Sequence, residues 1–158
     1  MKTIIIYSTK YGSVEKAALK LKEHLQGFVE ISNVKNVSDF SAYDTVILAG
    51  SVYAGRIQKE MRLFIKTHTM ELLKKRIGIF ICAGNDKQEN IDIWIKTNFS
   101  QELYDSAIAC DNLGYEYRYD QLNFFEKIIV RIVVGIKENQ SNFFEEKIRD
   151  FATKINST

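Results

Sequence analysis

Apolar residues follow two patterns that alternate along the chain. Short apolar runs cover residues 2–7, 45–50 and 77–84, residues 28–34 alternate between apolar and polar positions, and residues 106–111 form a fifth short run. Runs of this length and pattern are typical of β-strands, and the unbroken ones indicate strands buried on both faces.

Segments with helical spacing separate these strands. A stripe of apolar residues begins after Ser13, further helical patterns cover residues 58–75 and 91–103, and the last helix carries Phe144, Ile148, Phe151 and Ile155. Asn142, followed three residues later by Glu145, predicts an N-cap pair for that helix. Buried strands that alternate with helices predict an α/β fold with a parallel sheet covered on both faces.

Residues 118–136 allow two interpretations. Apolar residues recur there at helical spacing, while Lys127 and Arg131 lie on the other side of the predicted helix; the apolar members are Phe124, Phe125, Ile128, Ile129, Ile132, Val133 and Ile136. The preferred interpretation is a helix packed on the core. The alternative is a surface helix that contacts a membrane or a partner.

Composition narrows the classes of function. A chain of 158 residues with 46% hydrophobic content predicts one globular domain, and a net charge of +2 argues against nucleic-acid binding. No apolar run approaches the length of a membrane span, and the apolar N-terminus lacks the cleavage site of a signal peptide. We therefore expect a cytoplasmic protein, either free or held at the inner face of the membrane.

The chain has two cysteines and two histidines, and none of them lies in a metal-binding or redox motif. Cys82 and Cys110 lack CxxC spacing, which predicts buried free thiols in a reducing compartment, and His24 and His68 belong to no cluster with metal-ligand spacing. The sequence predicts no metal site.

Three loops follow predicted buried strands, at residues 8–13, 51–56 and 83–87. Ligands of parallel α/β sheets bind at the carboxyl ends of the strands, so these loops are the candidate site. The loop at residues 8–13 is rich in hydroxyl groups and precedes a helix, whose first amides have no internal partner and attract anions. It predicts a phosphate site, and the alternative is a capped helix without a ligand.

Motifs for other phosphate ligands are missing from this first loop. It contains neither GxGxxG nor GxxxxGK[ST], which argues against a dinucleotide or a nucleotide triphosphate. It also lacks the Cys–Arg spacing of a phosphatase and the acidic pair of a receiver domain. In the second loop, Tyr53 could stack on a flat ring and Gly55 could adopt conformations closed to other residues, although an ordinary turn would have the same composition.

The sequence YSTKYGSVEK resembles the phosphate loop of flavodoxins, which binds the phosphate of flavin mononucleotide (FMN). The similarity is greater to one branch, the menaquinone-dependent protoporphyrinogen oxidases, because MKTIIIYSTKYGSVEKAA, AGSVYAGR, RYDQLNFFEKIIVRIV (118–133) and NFFEEKIRDFATKI resemble segments of that branch. The chain differs from the family pattern at Val14, commonly threonine in flavodoxins, and at Ala54, often tyrosine in the branch. The resemblance implies a flavodoxin-like three-layer sandwich over residues 1–158, with the strands in the order 2-1-3-4-5.

The resemblance also implies roles for the three loops. The phosphate would be bound by Ser8, Thr9, Tyr11, Gly12 and Ser13, with Lys10 in the same loop. One face of the isoalloxazine ring would be covered by Ser51, Val52, Tyr53, Ala54 and Gly55, and the Gly55 peptide would turn to bond N5 of the reduced flavin. The pyrimidine edge would be approached by Ala83, Gly84, Asn85 and Asp86. No catalytic side chain is implied, since the flavin supplies the chemistry.

Two functions follow from the resemblance. The first is an FMN oxidoreductase in heme biosynthesis that passes electrons from a porphyrinogen to a quinone. The second is a flavodoxin-type electron carrier that has redox proteins as partners and no substrate of its own. Carriers of this type are usually acidic, so the net charge of +2 and the basic helix favour a membrane-adjacent acceptor. A binding module without flavin is a third interpretation.

Overall fold

The computed structural model describes residues 1–157, apart from the side chain of Val134. A five-stranded parallel sheet contains β1 (Lys2–Ser8), β2 (Phe28–Asn33), β3 (Thr45–Ser51), β4 (Arg76–Cys82) and β5 (Ala107–Asn112). The strand order is β2-β1-β3-β4-β5. The predicted fold class, strand order and five strands are confirmed.

Within residues 1–157, six α-helices accompany the sheet. They are α1 (Ser13–Lys22), α2 (Lys59–Leu72), α3 (Gln88–Phe99), α4 (Gln101–Ser106), α5 (Phe124–Ile129) and α6 (Glu145–Asn156). One face of the sheet packs against α2, α3 and α4, and the other packs against α1 and α6. Successive residues of β1 serve both layers, because Ile4 faces the first and Ile5 faces the second.

The helical pattern predicted for residues 91–103 is divided between two helices. Ser100 adopts a left-handed backbone with φ of 82°, which ends α3, and its side chain accepts a hydrogen bond from the Leu103 amide at 3.3 Å, which caps α4. The apolar spacing of Ile91, Ile95, Phe99 and Leu103 runs across the break without interruption. Periodicity alone therefore does not reveal it.

The prediction that Asn142 caps the last helix is wrong. Asn142 lies in β7 (Gln140–Phe143), which pairs antiparallel with β6 (Gly114–Tyr117) in a separate two-stranded sheet. Helix α6 starts at Glu145 after Phe144, without a side-chain cap. Pairing with a strand distant in sequence decides the conformation of Asn142 here and overrides its local capping preference.

Residues 118–136 do not form one helix packed on the core, so the preferred interpretation of this segment is wrong. A 3₁₀ turn at residues 119–121 precedes α5, which continues as five residues of π-helix at 130–134. Val130 and Ile136 are buried against Tyr11, Tyr117 and Tyr119. Leu122 is buried in the same cluster. The other members of the predicted apolar stripe face solvent; they are Phe124, Phe125, Ile128, Ile129, Ile132 and Val133, named the α5 apolar face below.

The two cysteines are free, as predicted, and they lie on opposite faces of the sheet. Cys82 is buried, and Cys110 is half-buried. Burial raises the pKa of the Cys82 thiol and raises that of Cys110 to about 12, so both are protonated at neutral pH. None of the helices in residues 1–157 is both long and apolar enough to cross a membrane.

Two buried threonines give a test of the sheet's packing. Thr3 and Thr45 are paired across β1 and β3, and neither hydroxyl has a hydrogen-bond partner among the described residues. Valine keeps the shape and removes the unpaired hydroxyl, so Thr45→Val should raise the free energy of unfolding by about 1 kcal/mol in urea titrations. The control is Thr67→Val at an exposed position of α2, where no gain in the free energy of unfolding is expected. A loss of stability at Thr45→Val would contradict this account.

Candidate functional site

The three predicted loops meet at the carboxyl edge of the sheet, because parallel strands all end there. A fourth part of the chain joins them, since Tyr117 and Val133 line a cavity at this edge together with residues of the second and third loops. The structure places the three loops that contain the predicted site residues at this edge. The segment from β6 to the π-helical residues 130–134 was not recognised as a wall of this cavity.

The first loop presents backbone amides at the start of α1. Gly12, with φ of 90°, is the N-cap residue of this helix and provides no side-chain cap. The Gly12 amide donates to Thr9 Oγ1 at 3.0 Å, which closes the turn. The first amides of α1 therefore keep the donor capacity that suits an anion. The Ser8 hydroxyl, by contrast, donates to Gln58 Oε1 at 2.9 Å and so points away from that helix start.

The outer side of this loop is joined to α5 by Glu126. The Glu126 carboxylate accepts hydrogen bonds from the Lys10 ammonium and, at 2.5 Å, from the Tyr11 hydroxyl. Lys10 Nζ also lies 5.4 Å from the ring centroid of Tyr11 and 5.7 Å from that of Tyr53. Glu126 was not predicted as a site residue, although it forms a capping box with Asn123, which the N-x-x-E pattern indicates.

The second loop is a tight turn around Ala54 and Gly55. Tyr53 and Arg56 exchange two backbone hydrogen bonds of 2.8 and 2.9 Å, and φ is 47° at Ala54 and 75° at Gly55. Two positive φ values define a type I′ turn, in which glycine suits the second position and alanine is strained by about 1–2 kcal/mol. The turn projects Tyr53 toward Tyr11, with ring centroids 6.2 Å apart.

Side-chain amides hold the second loop on both sides. Gln58 accepts from Ser8 Oγ and donates to the Ser51 carbonyl at 3.1 Å, so it joins the first loop to the second. Asn98 of α3 donates to the Gly55 carbonyl at 2.9 Å and accepts from the Ile57 amide at 3.1 Å. Both residues escaped sequence analysis because they lie outside the loops that they shape.

The third loop depends on Asn112, which is fully buried at the end of β5. Its Oδ1 accepts from the amides of Ala83 and Gly114, both at 3.1 Å, and its Nδ2 donates to the carbonyls of Ala83 at 2.8 Å and Asn85 at 3.1 Å. All four hydrogen-bonding sites of one side chain are therefore used to fix the path of residues 83–85 and 114.

A cavity of about 690 Å³ opens between the second and third loops. This volume lies within the range of small-molecule sites. Its walls are predominantly apolar and include an aromatic residue, Trp94, that the sequence did not single out; the lining residues are Val52, Ala54, Gly55, Ala83, Gly84, Asn85, Asp86, Lys87, Trp94, Tyr117 and Val133. Seven of them were predicted site residues.

The remaining predicted residues lie in adjoining space. Ser13, Ser51 and Tyr53 line a narrow pocket beside the main cavity, together with Cys82 and Tyr117. A separate polar cavity of about 260 Å³ is lined by Ser8, Thr9, Lys10, Asn33, Val34, Lys35, Gln58 and Glu60. Tyr11 contacts α5 through its hydrogen bond to Glu126, and Gly12 is the N-cap residue of α1.

Close backbone approach and burial shape the main cavity. A Cβ atom at Gly84 would lie 2.5 Å from the Tyr117 hydroxyl oxygen, so only glycine lets this ring approach the third loop. Burial raises the pKa values of Tyr53 and Tyr117, which keeps both as neutral phenols at neutral pH. The cavity therefore has an apolar aromatic wall and a polar rim.

The charged residues of that rim are Asp86 and Lys87, and Lys147 joins Asp86 to Asp111. Lys147 Nζ of α6 lies 2.6 Å from Asp86 Oδ1 and 2.9 Å from Asp111 Oδ1. Burial would lower the pKa of Lys147, but the hydrogen bonds to both carboxylates outweigh it, and the pKa lies above its ordinary value. The cation is therefore fully protonated at neutral pH.

Replacement of Asn112 tests the assignment of the third loop. Asn112→Ala removes four hydrogen bonds that a fully buried side chain makes to backbone groups of the third loop, so the free energy of unfolding should fall by about 3 kcal/mol or more. Thermal and urea unfolding measure this change. Asn36→Ala, at an exposed position, is the matched control and should change stability by less than about 0.5 kcal/mol. Equal effects of the two substitutions would refute the role of Asn112.

Solved structures with the same fold are numerous. The chain is similar to a short-chain flavodoxin associated with a non-canonical PDU bacterial microcompartment, with a TM-score of 0.61, 17% identity and coverage of 98% of this chain and 96% of that one. It is also similar to the Fusobacterium nucleatum flavodoxin bound to flavin mononucleotide, with a TM-score of 0.59, 12% identity and coverage of 98% and 97%. At these identities the similarity shows the fold alone.

Larger proteins contain the same fold as one part. The chain is similar to the rubredoxin oxygen:oxidoreductase of Desulfovibrio gigas, with a TM-score of 0.56 and 15% identity, and spans 98% of its own length but 35% of that protein. None of the curated proteins matches the chain. A family model described as a flavodoxin domain matches residues 4–143. The chain therefore belongs to the flavodoxin domain family.

Proposed function

We propose that the chain binds FMN and transfers electrons through it. The observation that carries this proposal is the position of the 690 Å³ cavity, which shares Val52, Ala83 and Tyr117 with a narrow pocket that reaches Ser13 at the uncapped start of α1. A flat, largely apolar ring joined to one phosphate group would use both features. The Fusobacterium nucleatum relative was solved with FMN bound, which supports the same ligand here.

The donor set of the loops fits this group. The first amides of α1 and the Thr9 hydroxyl would bind the phosphate, since Thr9 Oγ1 accepts from Gly12 and still has its proton to donate. The Ala54–Gly55 turn and Trp94 would border the ring, and residues 83–86 would approach its polar edge. The chain has one phosphate loop, which favours FMN over FAD. The bound flavin would supply the redox chemistry, while these residues orient it and limit its contact with water.

The surface beside the cavity favours an apolar electron acceptor. Phe124, Phe125, Ile132 and Val133 are 72–76% exposed, an unusual cluster of apolar side chains on a surface. Val133 belongs both to this face and to the cavity wall. We propose that the α5 apolar face enters the surface of a membrane and that a quinone dissolved there accepts the electrons. The resemblance of residues 118–133 to the protoporphyrinogen oxidase branch extends the proposal to a porphyrinogen as donor.

An electron carrier is the second candidate. The full-length similarity to a short-chain flavodoxin favours it, because the chain covers 96% of that protein and needs no further domain to match it. In that case the α5 apolar face would contact a redox protein, and no porphyrinogen would be oxidised. The two candidates share FMN and differ in what touches α5.

FMN binding is tested by reconstitution of the purified chain and identification of the extracted flavin. Thr9→Ala removes one hydrogen bond to an anion, which contributes about 1.5–3 kcal/mol. The FMN dissociation constant should therefore rise about tenfold or more, whereas the dissociation constant of riboflavin, which has no phosphate, should change little. Thr67→Ala, at an exposed position of α2, is the matched control and should change neither dissociation constant. Equal losses for both flavins would remove Thr9 from the phosphate site, and a chain that stays colourless with excess FMN would overturn the proposed function.

Vesicle binding separates the two candidates. Lys127→Glu with Arg131→Glu should weaken association of the FMN-loaded chain with anionic vesicles by about tenfold or more, because each cation near such a surface contributes on the order of 1 kcal/mol. Phe125→Ser with Ile132→Ser should have a similar effect through lost apolar burial. Both pairs should leave FMN content unchanged and slow quinone-linked oxidation of protoporphyrinogen.

The matched control for the charge reversal is Lys66→Glu with Lys74→Glu, at two exposed positions of or next to α2. This pair changes the net charge equally and should retain more vesicle binding than the α5 pair. If the unmodified, FMN-loaded chain neither sediments with vesicles nor reduces quinone with protoporphyrinogen, the oxidase proposal fails and the electron carrier remains.

A further inference from the structure

Lys147 extends from α6 to Asp86 at the rim of the 690 Å³ cavity. Its ammonium group lies between two carboxylates, at 2.6 Å from Asp86 and 2.9 Å from Asp111. Asp86 lines the cavity, and Lys147 joins it to Asp111 in β5. The three side chains are partly shielded from solvent, with exposures of 28% for Lys147, 42% for Asp86 and 23% for Asp111.

Stability alone does not account for this arrangement. Ion pairs with this much exposure contribute little to the free energy of unfolding. Residues 83–85 are already fixed by Asn112, whose four hydrogen bonds are independent of Lys147. The main effect of Lys147 is therefore electrostatic, because its cation offsets the charge of the two carboxylates. It reduces the charge of the group from −2 to −1 at the cavity rim, where exposed Lys87 is the neighbouring cation.

We propose that Lys147 is a positioning residue that raises the reduction potential of the bound flavin by neutralising Asp86. This inference rests on the FMN binding proposed above. Reduction adds electrons from the donor to the ring, and negative charge accumulates where proton uptake does not balance them. Carboxylates at the rim oppose that charge, so a cation that pairs with one of them favours the reduced form.

The test measures the midpoint potential of FMN bound to the full chain. Lys147→Met keeps the aliphatic stem and removes the charge, so the preference for reduced flavin should fall by about three- to tenfold. A tenfold change in a one-electron equilibrium corresponds to about 59 mV. Lys147→Arg should retain the potential. Lys154→Met, on the same helix, removes an equal charge at an exposed position and should shift the potential less.

Two further measurements separate charge from structure. Adding Asp86→Asn to Lys147→Met restores the group charge of −1 and should return the potential toward that of the unmodified chain. The shift caused by Lys147→Met should also grow at low ionic strength, because the Debye length rises from about 10 Å at 0.1 M to about 30 Å at 0.01 M. A change that acts only through loop structure would show neither effect.

The outcomes are distinct. If Lys147→Met and Lys154→Met give equal potentials, or if Asp86→Asn does not reverse the shift, the role of Lys147 is refuted while FMN binding stands. If the unmodified chain fails to retain FMN, both this inference and the proposed function are overturned.

Discussion

Where the chain leaves a buried strand, its backbone amides and carbonyls lose their partners in the sheet and need other hydrogen bonds. This requirement determines the loop structure at the carboxyl edge of the sheet. Asn112 satisfies four such groups in the third loop and Asn98 satisfies the Gly55 carbonyl in the second. Gln58 joins the first loop to the second. Three side-chain amides thus fix the paths of the loops that border the cavity. The accuracy of these loop positions matters, because a displacement of about 1 Å within a binding or catalytic site can strongly reduce function.

The segment from Tyr119 to Ile136 completes the site and at the same time exposes an apolar surface. Glu126 and Val130 hold it against the first loop and its tyrosines, so its inner side is committed to the protein. Its outer side is apolar and faces solvent. A helix of this kind gains little stability from its exposed residues, which points to a role outside the folding of the chain.

Much of this architecture could be predicted from the sequence. Strands that are buried on both faces leave continuous apolar runs, which is why β1, β3 and β4 were recognisable, while β2 and β5 followed from an alternating pattern and a shorter run. The alternation of these strands with helices predicted their parallel arrangement. The site loops followed from the same pattern. Residues such as Asn98, Asn112 and Glu126 could not be found in this way, because their roles depend on partners 27 to 116 positions distant along the chain. The orientation of α5 was equally hidden, since the same apolar spacing describes a helix packed inward or facing outward.

Trp94 gives the cavity a built-in optical reporter. It is the only tryptophan of the chain, and its indole lies at the wall of the cavity, where its Nε1 would be 3.6 Å from a Cβ at Gly55. Emission excited near the red edge of indole absorption therefore originates at this wall and at no second position. A flavin within the cavity would accept that excitation energy over such a short separation. The intensity of a single emitter thus counts occupied cavities directly, even in the presence of vesicles or a partner protein that lacks tryptophan.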